Sequence, residues 1–223
     1  MNTFKKFFTI AIVVLFFLSN GGISIAENID KLISDLDRGD WNTRLSAVEE
    51  LGRIRDENSI VLLMKVADTS GEAWKIKIRA IRLLGEIGNP KAIDLLAKIF
   101  NDSFLNHECP AIKWNAAIAL GNFKKNPRVT HTLINGLEDD NLVIREGIIQ
   151  SLGKTGDPKA VPLLISLLQD KSFAIRMSAI KSLGEIGDHQ AISPLKHIVD
   201  NDDDPYMKNE ALSALKNIPV QKD

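Results

Sequence analysis

Cysteine occurs once in this chain of 223 residues, at Cys109. No intramolecular disulfide can close, so packing alone must hold the fold. No cysteine directly follows the N-terminal apolar stretch, which excludes a lipoprotein anchor. Aromatic residues make up only 6% of the chain against 44% hydrophobic residues overall, so the core must be largely aliphatic. Charge of one sign is lacking too: 28 Lys and Arg face 29 Asp and Glu, and no basic run stands out. That excludes the cationic stripe a nucleic-acid partner requires, and no nucleic acid is expected. Glycine-rich phosphate loops, nucleophile elbows and paired catalytic carboxylates are also missing, which leaves no catalytic residue to assign.

What is present begins with a leader. Lys5 and Lys6 precede an uncharged apolar stretch from Phe7 to Leu18, and Ser24-Ile25-Ala26 places small residues at the −3 and −1 positions before Glu27. This pattern predicts a signal peptide over residues 1–26 and an exported, periplasmic or extracellular protein of residues 27–223. The alternative is an uncleaved anchor, since Phe7 to Ala26 carries no charge; a membrane contact is expected only by that route. Removing Lys5 and Lys6 leaves 28 − 2 = 26 bases against 29 acids, a net charge of −3.

The remainder repeats. Leu-Gly stands at Leu51-Gly52, Leu84-Gly85, Leu120-Gly121, Leu152-Gly153 and Leu183-Gly184, with a degenerate sixth copy at Leu215-Lys216. The spacings are 33, 36, 32, 31 and 32 residues. Eight residues before each of these glycines, or Lys216, is a base: Arg44, Lys77, Lys113, Arg145, Arg176 and Lys208. A period of this length is the signature of a solenoid. In the fifth unit Asp157-Pro158 supplies an N-cap and a first helical residue. Val161, Leu164 and Leu168 then recur at helical spacing, Asp170-Lys171-Ser172 turns the chain with Ser172 as the next cap, and Ile175, Ala179, Ile180 and Leu183 stripe a second helix. Gly184 is expected within or near the end of that helix, where a missing side chain lets helices approach. The fold class is therefore all-α, built of about six helix pairs that bury their stripes only by stacking.

Leu-Gly with a base eight residues upstream of the glycine, an acidic turn before it and Asn/Asp-Pro after it resembles the HEAT repeat, particularly the short HEAT-like units first associated with phycobilin lyases. The resemblance covers residues 29–218. It implies a right-handed α-α superhelix with first helices on the convex face and second helices on the concave face. It also implies that a turn Asp pairs with the base of the second helix, here Asp139 with Arg145, Asp170 with Arg176 and Asp202 with Lys208, each six apart. The first three units depart from this: Asp68 lies nine before Lys77, Asp102 eleven before Lys113, and Arg38 stands six before Arg44. HEAT-like deoxyhypusine hydroxylases bind iron through several His-Glu pairs, whereas this chain has one, His107-Glu108, so neither metal nor cofactor is expected.

The expected function is that of an exported, non-catalytic scaffold or adaptor that binds a protein or peptide along its concave face. Seven residues before the glycine stand Leu45, Ile78 and Trp114; the last two, with Ile118, Trp41 and Trp74, form the candidate partner-binding set: Trp41, Trp74, Ile78, Trp114 and Ile118. The other reading of these positions is half-burial between neighbouring helices. The alternative function is an enzyme or chromophore-handling protein of the lyase-associated type, acting through an insertion at residues 101–110 that contains Cys109. A third is an envelope tether held by an uncleaved N-terminus.

Overall fold

The computed structural model describes residues 25–103 and 109–219. Residues 1–24 of the expected leader lie outside the described residues, as do residues 104–108 with His107 and Glu108. Twelve α-helices form six pairs among the described residues. The pairs are α1 (Ile25–Arg38) with α2 (Trp41–Ile54), α3 (Glu57–Asp68) with α4 (Trp74–Ile87), and α5 (Ile93–Asn101) with α6 (Pro110–Leu120). They continue as α7 (Pro127–Asn135) with α8 (Leu142–Thr155), α9 (Val161–Ser166) with α10 (Phe173–Ile186), and α11 (Ile192–Asn201) with α12 (Pro205–Asn217). None of the described helices is long and apolar enough to cross a membrane.

Local sequence sets the helix ends. Asp40, Asp56, Asn126, Asn141 and Asp204 each accept a backbone N–H of the helix they open. Asn89, Asp157 and Asp188 instead cap 3-10 turns that lead into α5, α9 and α11. The first helix of the fifth unit is thus a short α-helix between two 3-10 turns, Pro158–Ala160 and Leu167–Gln169. Ser172 occupies the N-cap position of α10, but its hydroxyl makes no capping bond. Its backbone N–H donates instead to Asp170, at 2.8 Å.

Second helices pack on one another more closely than first helices do. A ribbon curves toward its more closely spaced side, which makes the second-helix face concave. The Leu-Gly glycines create that spacing. A Cβ added at Gly85 would lie 2.6 Å from the Cα of Ala119, and one at Gly184 would lie 2.8 Å from the Cα of Ala214. Both targets lie two residues before the Leu-Gly glycine, or its sixth counterpart Lys216, in the following unit. Among the described residues no helix packs on α12 from the side of Lys216, the residue that stands in place of the glycine in the degenerate sixth copy.

The core is a continuous aliphatic ribbon between the two helix layers, with Leu51, Leu84, Leu120, Leu152 and Leu183 all fully buried. These leucines are the first members of the five Leu-Gly pairs. Phe100 is the one ring among the largest fully buried side chains, and it fills the space left by Gly136.

Candidate functional site

The bases of the repeat lie near the start of each second helix, and three of them take a carboxylate partner from the next unit. Lys113 donates to Asp139 at 2.6 Å, Arg145 donates to Asp170 at 2.8 Å, and Arg44 pairs with Glu72. The carboxylates of Asp139 and Asp170, expected to pair with the base six residues on, thus pair instead with the base of the preceding unit. Each turn carboxylate already serves its own turn with one oxygen: Asp139 accepts from Asn141 N, Asp170 from Ser172 N and Asp202 from Asp204 N, each at 2.8 Å. For Asp139 and Asp170 the second oxygen faces the preceding unit. The Ser172 N–H bond, ahead of the Arg145 contact, holds the Asp170 carboxyl below the usual carboxylate range. Arg176 turns back on its own unit and donates to the carbonyls of Asp170 and Lys171 at 2.9 and 3.3 Å. Lys208 is half-buried in α12.

Two members of this network were hidden from sequence reasoning. Glu72, with a side chain only 5% exposed, takes the turn-acid role in the second unit although no Asp stands at the expected offset. Arg79 clamps Glu49 through two bonds of 2.6 and 2.8 Å, tying α4 to α2. That contact holds the Glu49 carboxyl down and raises the Arg79 guanidinium. Lys77 is 3% exposed, and burial pushes its ammonium below the ordinary lysine range against the pull of Asp68, Glu72 and Asp102.

The candidate partner-binding residues fall in two places. Trp41 and Trp74 open α2 and α4 and are exposed at the edge of the ribbon, with the Lys75 ammonium 5.3 Å from the Trp74 ring centre. Leu142, Val143, Phe173 and Tyr206 are exposed at the same end of α8, α10 and α12. Ile78, Trp114 and Ile118 lie further along their helices and are half-buried. The Trp114 ring lies on Gly147 of the next second helix, where an added Cβ would be 2.6 Å from its Nε1. Ile78 packs on the core. The structure therefore does not join all five into one exposed patch.

Ile118 belongs to a different feature. It walls a cavity of about 620 Å³ on the second-helix face, bordered by α6, α8 and α10. Gly153, Ser151 and Ser182 form a floor of small groups, and Lys124, Lys154, Lys181 and Glu185 stand around it. The floor is fixed by contact between units, since Ser182 Oγ donates to the Ile149 carbonyl at 2.9 Å and Gly153 leaves no room beside Ser182. Sequence reasoning missed this cavity. Its signal was the polar residues three before and one after the Leu-Gly glycines, Lys181 and Lys154.

The 101–110 insertion is described only at its ends. Asn101 closes α5, and Cys109 is the N-cap residue of α6, half-buried against the core beside Pro110. No group of three or more His, Cys, Asp or Glu side chains among the described residues is placed to hold a metal.

The sequence family of HEAT repeats matches residues 29–104 and 130–216. No curated protein matches the sequence. Among solved structures, the chain is similar to the CpcE–CpcF complex of phycocyanin lyase from a Nostoc species, at 21% identity and TM-score 0.56 over 87% of this chain and 77% of that one. A designed armadillo repeat protein in complex with the peptide (KR)4 is similar at 17% identity and TM-score 0.54, over 86% of this chain and 99% of that one. The TOG3 domain of Mini spindles from Drosophila melanogaster aligns at 14% identity and TM-score 0.53, over 84% and 92%. These likenesses establish the fold, a helical-repeat solenoid.

Proposed function

We propose that this chain, which belongs to the HEAT repeat family, is an exported, non-catalytic scaffold that holds a protein or peptide partner along its second-helix face. The observation that carries this reading is the open cavity spanning three successive units, whose floor is rigidified by packing between helices and whose rim carries exposed polar side chains. A rigid floor lowers the ordering cost of binding, because Ser151, Gly153 and Ser182 are already held before the partner arrives. Two structural neighbours support the class of partner: one is a complex of two proteins, the other a repeat protein bound to a peptide. Export rests on the leader-like pattern of Lys5, Lys6 and Ser24-Ile25-Ala26.

Affinity capture from the envelope of the source cell tests the reading, with Ile118→Asp as the groove variant and Val61→Asp, on the exposed side of α3, as the control. A partner retained by the native chain and the control but lost by the groove variant is the expected result. A partner lost equally from both variants, or retained by both, would contradict it.

A further inference from the structure

We infer that the cavity between α6, α8 and α10 is a subsite for a carboxylate side chain of an acidic, extended peptide segment. This rests on the scaffold reading above and names the chemistry of the partner.

Four lysines elsewhere in the array are neutralised across units. Lys65, Lys91, Lys98 and Lys113 each meet a carboxylate from another unit, on Asp37, Glu57, Asp68 and Asp139. Among the described residues Lys124, Lys154 and Lys181 form no ion pair, although they come from three successive units and border one space. Glu185 is the one acid on the rim, so three bases against one acid leave a local charge of +2 in a chain whose formal charge is −1. Lys154 and Lys181 are exposed and point charges, free to turn toward an incoming anion.

The rest of the cavity selects what kind of anion. Lys124 is held by the Lys154 carbonyl at the closing turn of α8, and Gly156 caps that helix in the left-handed conformation. Carbonyls at a helix C-terminus carry partial negative charge, which opposes any anion, a phosphate dianion more than a monoanionic carboxylate, while accepting N–H donors. An extended peptide brings both a monoanionic carboxylate and main-chain N–H groups. A nucleic acid brings bases that need aromatic faces, and no aromatic residue lines this cavity. Ile118 offers an apolar wall for an aliphatic neighbour of the acid, and Gly153, Ser151 and Ser182 leave the main chain room to approach.

The test measures binding of fluorescein-labelled (Glu-Ala)4, (Gln-Ala)4 and (Lys-Ala)4 peptides to the full chain by anisotropy, with an eight-nucleotide oligothymidylate as a fourth probe. The acidic peptide should bind about tenfold more tightly than the neutral one, and weaken as salt is raised. Lys154→Glu and Lys181→Glu should each weaken it about tenfold, while Lys65→Glu on α3 leaves it unchanged. Thermal unfolding of each variant checks that the array remains folded. Equal affinity for the three peptides, an acidic preference that survives both groove variants, or a preference for the oligonucleotide would overturn the inference. If the neutral peptide binds equally well and Ile118→Asp abolishes it, the scaffold reading survives and the carboxylate subsite falls. If no peptide binds, the subsite falls, and the scaffold reading is decided separately by the partner capture.

Discussion

At Gly85 even a methyl group would come within 2.6 Å of the backbone of the next unit. Backbone cannot retreat as a flexible side chain can, so Gly85→Val should cost about 3 kcal/mol in urea unfolding. Lys216 holds the same place in the last repeat but faces no described helix, and Lys216→Met should change stability by no more than about 0.5 kcal/mol. Lys77 makes the opposite case. Burial disfavours its ammonium in the folded chain more than Asp68, Glu72 and Asp102 favour it, so Lys77→Met, which keeps the length of the side chain and removes the charge, should stabilise the array by about 1 kcal/mol. A higher denaturant midpoint in that variant checks the prediction. The Leu-Gly pairs were legible in the sequence because a close helix approach tolerates only glycine. The burial of Lys77 was not, since it depends on how the third unit lies over the second.

Between elements, the cross-unit ladder makes its own prediction. Asp170 is bound by Ser172 N and by Arg145, with side chains of Asp170 and Arg145 only 14% and 22% exposed. Asp170→Asn keeps an acceptor for the turn but removes the charge, and should cost about 1 kcal/mol at neutral pH. Because the folded carboxyl is held below its ordinary value, its stabilisation is complete above the unfolded carboxyl range and is lost as pH falls through the folded value. The gap between native and variant midpoints should therefore close in acid, and a gap that stays constant would contradict the assignment. The ladder residues themselves were legible as a period of bases and acids. Their pairing was not, because a six-residue spacing in sequence says nothing about which carboxylate oxygen the turn has already used. Glu72 shows the same limit: it does the work of a turn Asp from five residues before the base of its unit rather than six.

For the whole molecule, repeat spacing, caps and apolar stripes together predict six stacked helix pairs, and the structure shows them because each rule acts locally and recurs. The binding surface was harder to foresee. Residues seven before the glycine read as outward-facing anchors, yet Trp114 is seated on Gly147 of the following unit, a contact visible only once the units are stacked. The cavity likewise needs three units at once, and no single repeat contains it. The central claim is that a partner lies along the second-helix face, and site-specific photo-crosslinking tests it most directly. A benzophenone side chain placed at Gln150, exposed on α8 beside the cavity, is compared in the source cell with one at Val61, exposed on α3. Crosslinks to one defined polypeptide from Gln150, and none from Val61, are the predicted result; crosslinks to that polypeptide from Val61 and none from Gln150 would contradict the account.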